Sequence, residues 1–232
     1  MDSFASVILG FEQRPAWEVI PRHRHRGAYL SLVLDGAYEE TGDRGRIRVR
    51  PGDMLIHGAF DSHLNRFPAA GARILNLTLP DDIEPQTGFA RSPDADWAIR
   101  LAERDPRAAA ELLVATAEPA QSHAKDWPDL LAEALTADPA LRIGDWAREH
   151  GLADAAVSRG FQQVYGVSPS AFRAEVRGRL AWRRIVDAGQ ALTDLAYELG
   201  FADQAHMTRT VRAITGQPPR AWQPKVEQLR GK

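Results

Sequence analysis

The chain contains no cysteine among its 232 residues. That excludes disulfide frameworks, thiolate metal sites and cysteine nucleophiles, and it suits a reducing compartment. No apolar run reaches the roughly 18 residues that a membrane span requires, so none is predicted. The opening MDSFASVILGFEQRP lacks both a basic start and a long apolar stretch. It does not read as a signal peptide, and a cytoplasmic location is expected. An excess of either charge is also lacking, with 29 Lys and Arg against 31 Asp and Glu. The balance hides an asymmetry. From Ala137 onward basic residues outnumber acidic ones 14 to 10, whereas before it they are outnumbered 15 to 21. A basic C-terminal part is what contact with phosphate calls for. The remaining composition, 44% apolar and 26% charged, is that of an ordinary globular protein long enough for two modest domains.

The first 80 residues read as β structure. Short apolar runs at 29–34, 46–49, 53–57 and 73–79 are separated by the turn signals DGAY (35–38), ETGDRG (40–45), PGD (51–53) and PAAG (68–71). Many short strands without an intervening helix predict a sandwich or barrel. From residue 81 to 126 the pattern is a connector, with prolines at 80, 85 and 93 around it. It carries two predicted helices, 94–105 and 106–117, with Pro106 in the first turn of the second. This pair is the natural coupling or dimerisation element. Trp97, Leu101, Leu112 and Leu113 are free to pack on a second subunit or on the chain's own barrel. QSHAKD (121–126) is a polar linker that leaves His123 in solvent.

Residues 127–224 are predicted to be all helical, with 225–232 as a tail. Leu192, Leu195, Ala196 and Leu199 form one apolar stripe of a short helix. Gly200 ends it where a tight turn favours positive φ. Asp203 caps a second helix whose Met207, Val211 and Ile214 turn inward. That leaves Gln204, His206, Thr208, Arg209 and Arg212 on its outer surface. An apolar-backed helix with long hydrogen-bonding side chains in front suits the DNA major groove. The unit occurs twice. Ile143, Asp145, Trp146, Ala147, Glu149 and Gly151 match Leu192, Asp194, Leu195, Ala196, Glu198 and Gly200 at an offset of 49, and Arg159, Gly166, Pro169 and Phe172 match Arg209, Gly216, Pro219 and Trp222 at an offset of 50. The predicted helix-turn-helix units therefore span about 143–165 and 192–214, joined by a long basic helix over 170–189. Gly178 is expected to weaken that helix by about 1 kcal/mol.

The segment GFADQAHMTRTVRAITGQPPRAW (200–222), with SRGFQQVYGVSPSAF (158–172) and RLAWRRI (179–185), resembles the DNA-binding domain of the AraC/XylS family of bacterial transcription regulators. The resemblance covers residues 127–224. It implies two recognition helices in successive major grooves, about 34 Å apart. Carried over by position, Ser158, Arg159, Gln204, His206, Thr208 and Arg209 are the base-contact candidates, and Arg212 and Arg220 the phosphate contacts. Trp146, Phe161, Leu195, Phe201 and Trp222 fall on core positions. The sequence departs from the family at Val211, where a Phe is usual, and at Gly160, which is expected to soften the first recognition helix.

The stretches HRHRGAYLSLVLDG (23–36) and PGDMLIHGAFDSHLNRF (51–67) resemble the cupin-like barrel that commonly precedes this domain. Metal-binding cupins carry His-x-His, a Glu and a Gly in the first motif and a later His in the second. His23, His25, Gly36 and His63 stand at those positions, with Tyr29 in place of the Glu. His57 and Asn65 are candidates to complete a site. Strand alternation puts His23 and His25 on one face. Imidazoles suit Zn, Fe, Ni or Cu. Three readings of the barrel stay open: a divalent transition metal site, an effector pocket without metal, and a structural barrel. REH (148–150) is not a metal motif, and His150 is expected at a helix C-terminus. The fold class is thus α+β with two domains, a cupin-like jelly-roll barrel followed by paired helix-turn-helix units. The function expected is a sequence-specific transcription regulator controlled by a small effector or metal. Its partners are promoter DNA, with a homodimer and RNA polymerase contact as further expectations, and it needs no membrane. The alternatives are a constitutive DNA-binding protein whose barrel only dimerises, and a metal-dependent cupin enzyme with a DNA-binding tail.

Overall fold

The structure, a computed structural model, describes residues 9–80, 88–120, 125–188 and 191–223. His123 and the tail from 225 lie outside the described residues. Strands come first: β1 (Gly10–Arg14), β2 (Val19–Arg24), β3 (Tyr29–Gly36), β4 (Tyr38–Gly42), β5 (Gly45–Val49), β6 (Asp53–His57), β7 (Ser62–Arg66), β8 (Ala72–Thr78) and β9 (Gly88–Arg91). Helices α1 (Ala95–Ala102) and α2 (Pro106–Ala115) follow, then the short strand β10 (Glu118–Pro119). The rest is helical: α3 (Trp127–Ala137), α4 (Ile143–Glu149), α5 (Asp154–Tyr165), α6 (Pro169–Ala188), α7 (Leu192–Glu198) and α8 (Gln204–Thr215). A turn of 3-10 helix covers Pro219–Ala221.

All strand pairs are antiparallel, in two sheets that face each other. One has the order β1-β8-β3-β6-β9-β10, the other β2-β7-β4-β5. The larger sheet is buried on both faces. Leu30, Leu32, Met54, Ile56, Leu75 and Leu77 pack outward against Ala98, Ala109, Ala110 and Leu113 of α1 and α2. Val33, Leu55 and Ile74 point inward and meet Tyr38, Ile47, Val49 and Phe67 from the smaller sheet. Period-2 alternation makes this division. The helical pair thus packs on its own barrel, with Leu101 and Leu112 joining that core. Trp97 stays exposed, the Arg100 guanidinium 5.7 Å from its ring centre.

Two parts of the fold differ from the sequence pattern. The turn-like stretch EETG forms strand β4, because the chain reverses only at Asp43–Arg44, after which Gly45 takes a φ of +99°. Strands β9 and β10, from the stretch that reads as connector, complete the larger sheet.

In the helical part, α4–α5 and α7–α8 are the helix-turn-helix pairs. Gly151 and Gly200 carry the turns at φ +66° and +70°. The Asp203 carboxylate accepts from the His206 N–H at 2.6 Å and caps α8. Each pair closes its own core: Leu131, Trp146, Val157, Phe161 and Phe172 in the first, Leu195, Phe201, Met207 and Val211 in the second. Helix α6 links them, giving Phe172 and Val176 to one and Ala181 and Ile185 to the other. The two unusual glycines are places of close approach. A Cβ at Gly160 would stand 2.5 Å from Trp127 Cζ2, and one at Gly178 would stand 2.1 Å from Ile214 Cδ1. Gly160 seats α3 on α5, and Gly178 lets α6 lie against α8.

Candidate functional site

The predicted DNA-reading residues lie on two separate helices. Ser158 and Arg159 are exposed on the N-terminal half of α5. On α8, Arg209 and Arg212 are exposed, whereas Gln204, His206 and Thr208 are half-buried. Gln204 Oε1 accepts from the Thr193 hydroxyl at 3.0 Å, tying the start of α8 to α7. The His206 ring stands edge-on to Phe201, with centroids 5.3 Å apart. Arg220 is exposed on the 3-10 turn. His150 ends α4, its ring stacked on Trp146 and its Nδ1 against the Trp146 carbonyl at 2.9 Å.

The barrel histidines converge. His23 and His63 ring centres are 4.4 Å apart, His23 and His25 4.8 Å, and His57 and His63 4.7 Å. Asn65 joins them, and so does a residue the sequence pattern missed. Glu40 on β4 pairs across the sheet with Asn65, whose Nδ2 donates to Glu40 Oε2 at 2.9 Å. Its signal was masked by the turn-like composition around it. The carboxylate absent at Tyr29 is therefore supplied from the opposite sheet. Two overlapping sets of ligand atoms result, His23–His25–His63 and Glu40–His57–His63, with the atoms of each within 4.8 Å of one another. Burial keeps the imidazoles neutral: it draws His57 down to about 3 and lowers His63 and His23. Burial also pushes Glu40 up to about 8, against the opposing hydrogen bond from Asn65. Neutral imidazoles have lone pairs to give, so the cluster fits a metal ion. A cavity of about 260 Å³ adjoins it, lined among others by Glu12, Ser31, Tyr38 and Asn76.

The smaller sheet is the wall between this cavity and the helical part. His23 on β2 and His25 just past its end line the cavity, while Arg22 and Arg24 face outward. Arg22 donates twice to Glu175 Oε2 on α6, at 2.9 and 2.8 Å, and reaches Asp43 at 3.1 Å. Arg24 reaches Glu175 Oε1 and the Ala213 carbonyl of α8, both at 3.3 Å. Along β7, His63 and Asn65 point in, and Arg66 points out to the Gln163 and Val164 carbonyls at the end of α5, at 2.8 and 3.2 Å. On β5, Arg46 holds Asp129 of α3 at 3.0 Å. Beside Glu40's strand, Asp43 pairs at 2.9 Å with Arg179, which is buried in α6. The loop between His57 and His63 carries Phe60 into the seam, edge-on to Trp182 and Trp222 at 4.8 and 5.7 Å. Phe60 holds a φ of +63°, a conformation bulky residues rarely adopt unless their surroundings impose it. The barrel thus grips the C-terminal ends of both α5 and α8 and leaves their N-terminal halves open.

Residues 146–225 match the family described as "Helix-turn-helix domain". The HTH-type transcriptional regulator ExsA of Pseudomonas aeruginosa is 33% identical over 87 residues, 37% of this chain and 31% of the relative. The chain thus spans about a third of the length of the first curated relatives it matches. The uncharacterized HTH-type transcriptional regulator YobQ of Bacillus subtilis is 25% identical and aligns with 96% of this chain and 95% of its own. Among solved structures, unsaturated fatty acid-bound ToxT from Vibrio cholerae aligns with 92% of this chain and 93% of its own, at 8% identity and a TM-score of 0.42. No ligand is carried over from so low a likeness.

Proposed function

We propose that the chain, whose residues 146–225 match a helix-turn-helix family, is an AraC-type transcriptional regulator that reads a promoter sequence with α5 and α8, and that the barrel cavity controls this reading. On this reading the chain acts by binding DNA. The observation that carries the proposal is the division of the two recognition helices. Their C-terminal ends are held by the barrel through Arg66 and Arg24, and their N-terminal halves carry Ser158, Arg159 and Arg209 exposed and Gln204, His206 and Thr208 half-buried. Arg159 and Arg209 are the side chains suited to bidentate contact with guanine, and Gln204 to adenine. Arg212 and Arg220 position the domain on phosphates. Homodimer formation and contact with RNA polymerase belong to the same proposal and rest on the family alone.

Control by the cavity follows from its shared wall. His23, His25, His63, Asn65 and Glu40 face inward on the strands whose outward residues grip the helical part. An occupant that binds one placement of these strands better than another shifts the grip, by no more than that difference in affinity. The cavity is small and lined with hydrogen-bonding groups, so its occupant is small and polar, and the imidazoles open it to a divalent transition metal. The constitutive alternative has no use for a polar cluster buried in the wall.

Selection of bound sequences from a random library by the full chain tests the reading. An enriched site with two separate elements is expected. Arg209→Ala and Arg159→Ala should each then weaken that site by about 1–3 kcal/mol and relax one base position in different elements. No enrichment, or equal weakening on random DNA by both variants, overturns the assignment.

A further inference from the structure

Two buried ring nitrogens in the barrel, His57 Nε2 and His63 Nδ1, have no hydrogen-bond partner. Buried polar atoms are nearly always satisfied, so two orphans side by side need a reason. His57 Nε2 stands 3.7 Å from Glu40 Oε1, too far for a hydrogen bond and close enough to share an ion. We propose that Glu40, His57 and His63 bind one divalent transition metal ion of the Zn, Ni or Co type, through Glu40 Oε1, His57 Nε2 and His63 Nδ1. The proposal rests on the reading of the cavity and its wall as the regulator's control site and names an ion held in that wall.

Each ligand has one atom free and another part held. Asn65 Nδ2 donates to Glu40 Oε2 at 2.9 Å, which leaves Oε1. The Tyr29 hydroxyl hydrogen-bonds His63 Nε2 at 3.2 Å, which leaves Nδ1. The Tyr29 ring stacks on His57 with centroids 4.4 Å apart, which fixes the plane of that imidazole. Outer partners that orient ligands in this way mark metal sites. Two imidazoles with a carboxylate suit first-row transition ions, whereas Mg²⁺ and Ca²⁺ call for all-oxygen cages. All three residues are buried, so the ion would take the place of the proton that burial favours on Glu40.

This ligand set differs from the one implied by the cupin resemblance, in which His23, His25 and His63 hold the ion. His23 is only half-buried, its Nδ1 set against the Pro21 carbonyl at 2.8 Å, and its set contains no carboxylate. We place the ion on the inner side of His63, with His23 and His25 toward the cavity.

The full chain, purified without a polyhistidine tag and stripped with a chelator, should retain a single equivalent of Zn(II) or Co(II) after desalting, counted by elemental analysis. Glu40→Gln and His57→Gln should weaken Zn(II) binding by more than about 100-fold, and Asn65→Ala and Tyr29→Phe by about 10–100-fold. His23→Gln should stay close to the parent. Circular dichroism checks that each variant folds. If Glu40→Gln does not, the visible Co(II) spectrum decides, because Tyr29→Phe should shift the bands and His23→Gln should not. Absence of stoichiometric metal overturns the proposal. So does loss of binding in His23→Gln with retention in His57→Gln, which would place the ion in the outer set. Metal binding without sequence selection would sink the regulator reading and leave the site standing. Sequence selection without metal binding would do the reverse.

Discussion

At Gly160 two local rules oppose each other. Helix propensity favours alanine over glycine by about 1 kcal/mol in a helix interior. The packing forbids it, because the new methyl would sit 2.5 Å from Cζ2 and 2.9 Å from Cη2 of Trp127, a rigid ring. Overpacking of that kind costs about 1–3 kcal/mol, so Gly160→Ala should lower stability on balance by about 1 kcal/mol in urea or thermal unfolding. A gain of about 1 kcal/mol instead would mean that Trp127 swings aside freely. The expectation of a softened helix came from propensity alone, which contains no information about what lies opposite. Glu40 teaches the same point. As the first residue of ETGDRG it reads as turn, and only the register of β4 against β7 brings it beside Asn65 and the histidines.

Strand β2 is the element whose behaviour is easiest to test. Its alternation puts imidazoles on one face and guanidiniums on the other, so RHRH (22–25) encodes two chemically distinct faces. The outer face meets Glu175, whose side chain is 15% exposed beside an Arg22 that is 5% exposed. Removing one partner of a pair this well buried strands the other, at a cost of about 3 kcal/mol. Glu175→Ala and Arg22→Ala should each show a loss of that order in equilibrium unfolding. The double variant should lose less than the sum, because the two are in direct contact. Additive losses would show that the pair contributes nothing through contact. The alternation was visible in the sequence. The partner was not, since Glu175 lies some 150 residues away on a helix whose basic character pointed to DNA.

For the whole molecule, part of the C-terminal basic surplus is used internally. Arg179 and Arg183 answer Asp61 at 3.6 Å each, Arg179 also answers Asp43, and Arg177 donates to the Pro139 and Gly200 carbonyls. The acidic excess of the N-terminal part is the complement of that surplus. Every strand that bears a cluster residue adjoins a grip on the helices, so the two halves should respond together. Zn(II) added to the full chain should slow amide exchange in β2, β4 and β7 and also along α6 from Glu175 to Arg183. In Arg22→Ala/Arg24→Ala the protection along α6 should shrink to what passes through the pairing of Arg179 with Asp43 and Asp61. Protection confined to the barrel in the parent would show that the wall transmits nothing. Among the described residues no helix is long and apolar enough to cross a membrane.

What the sequence determined by itself was the repeated and the periodic. The duplicated helix-turn-helix signal, its caps and glycine turns, the strand alternation and the facing of His23 with His25 are all local patterns, set by backbone geometry over a few residues. Tertiary structure alone decided the placement of Glu40 among the histidines, the use of Gly160 and Gly178 as contact points, and the burial of Arg179 against Asp43 and Asp61. These depend on which distant segments meet. A side chain's surroundings are set by the packing of whole sheets and helices, and no local pattern carries that.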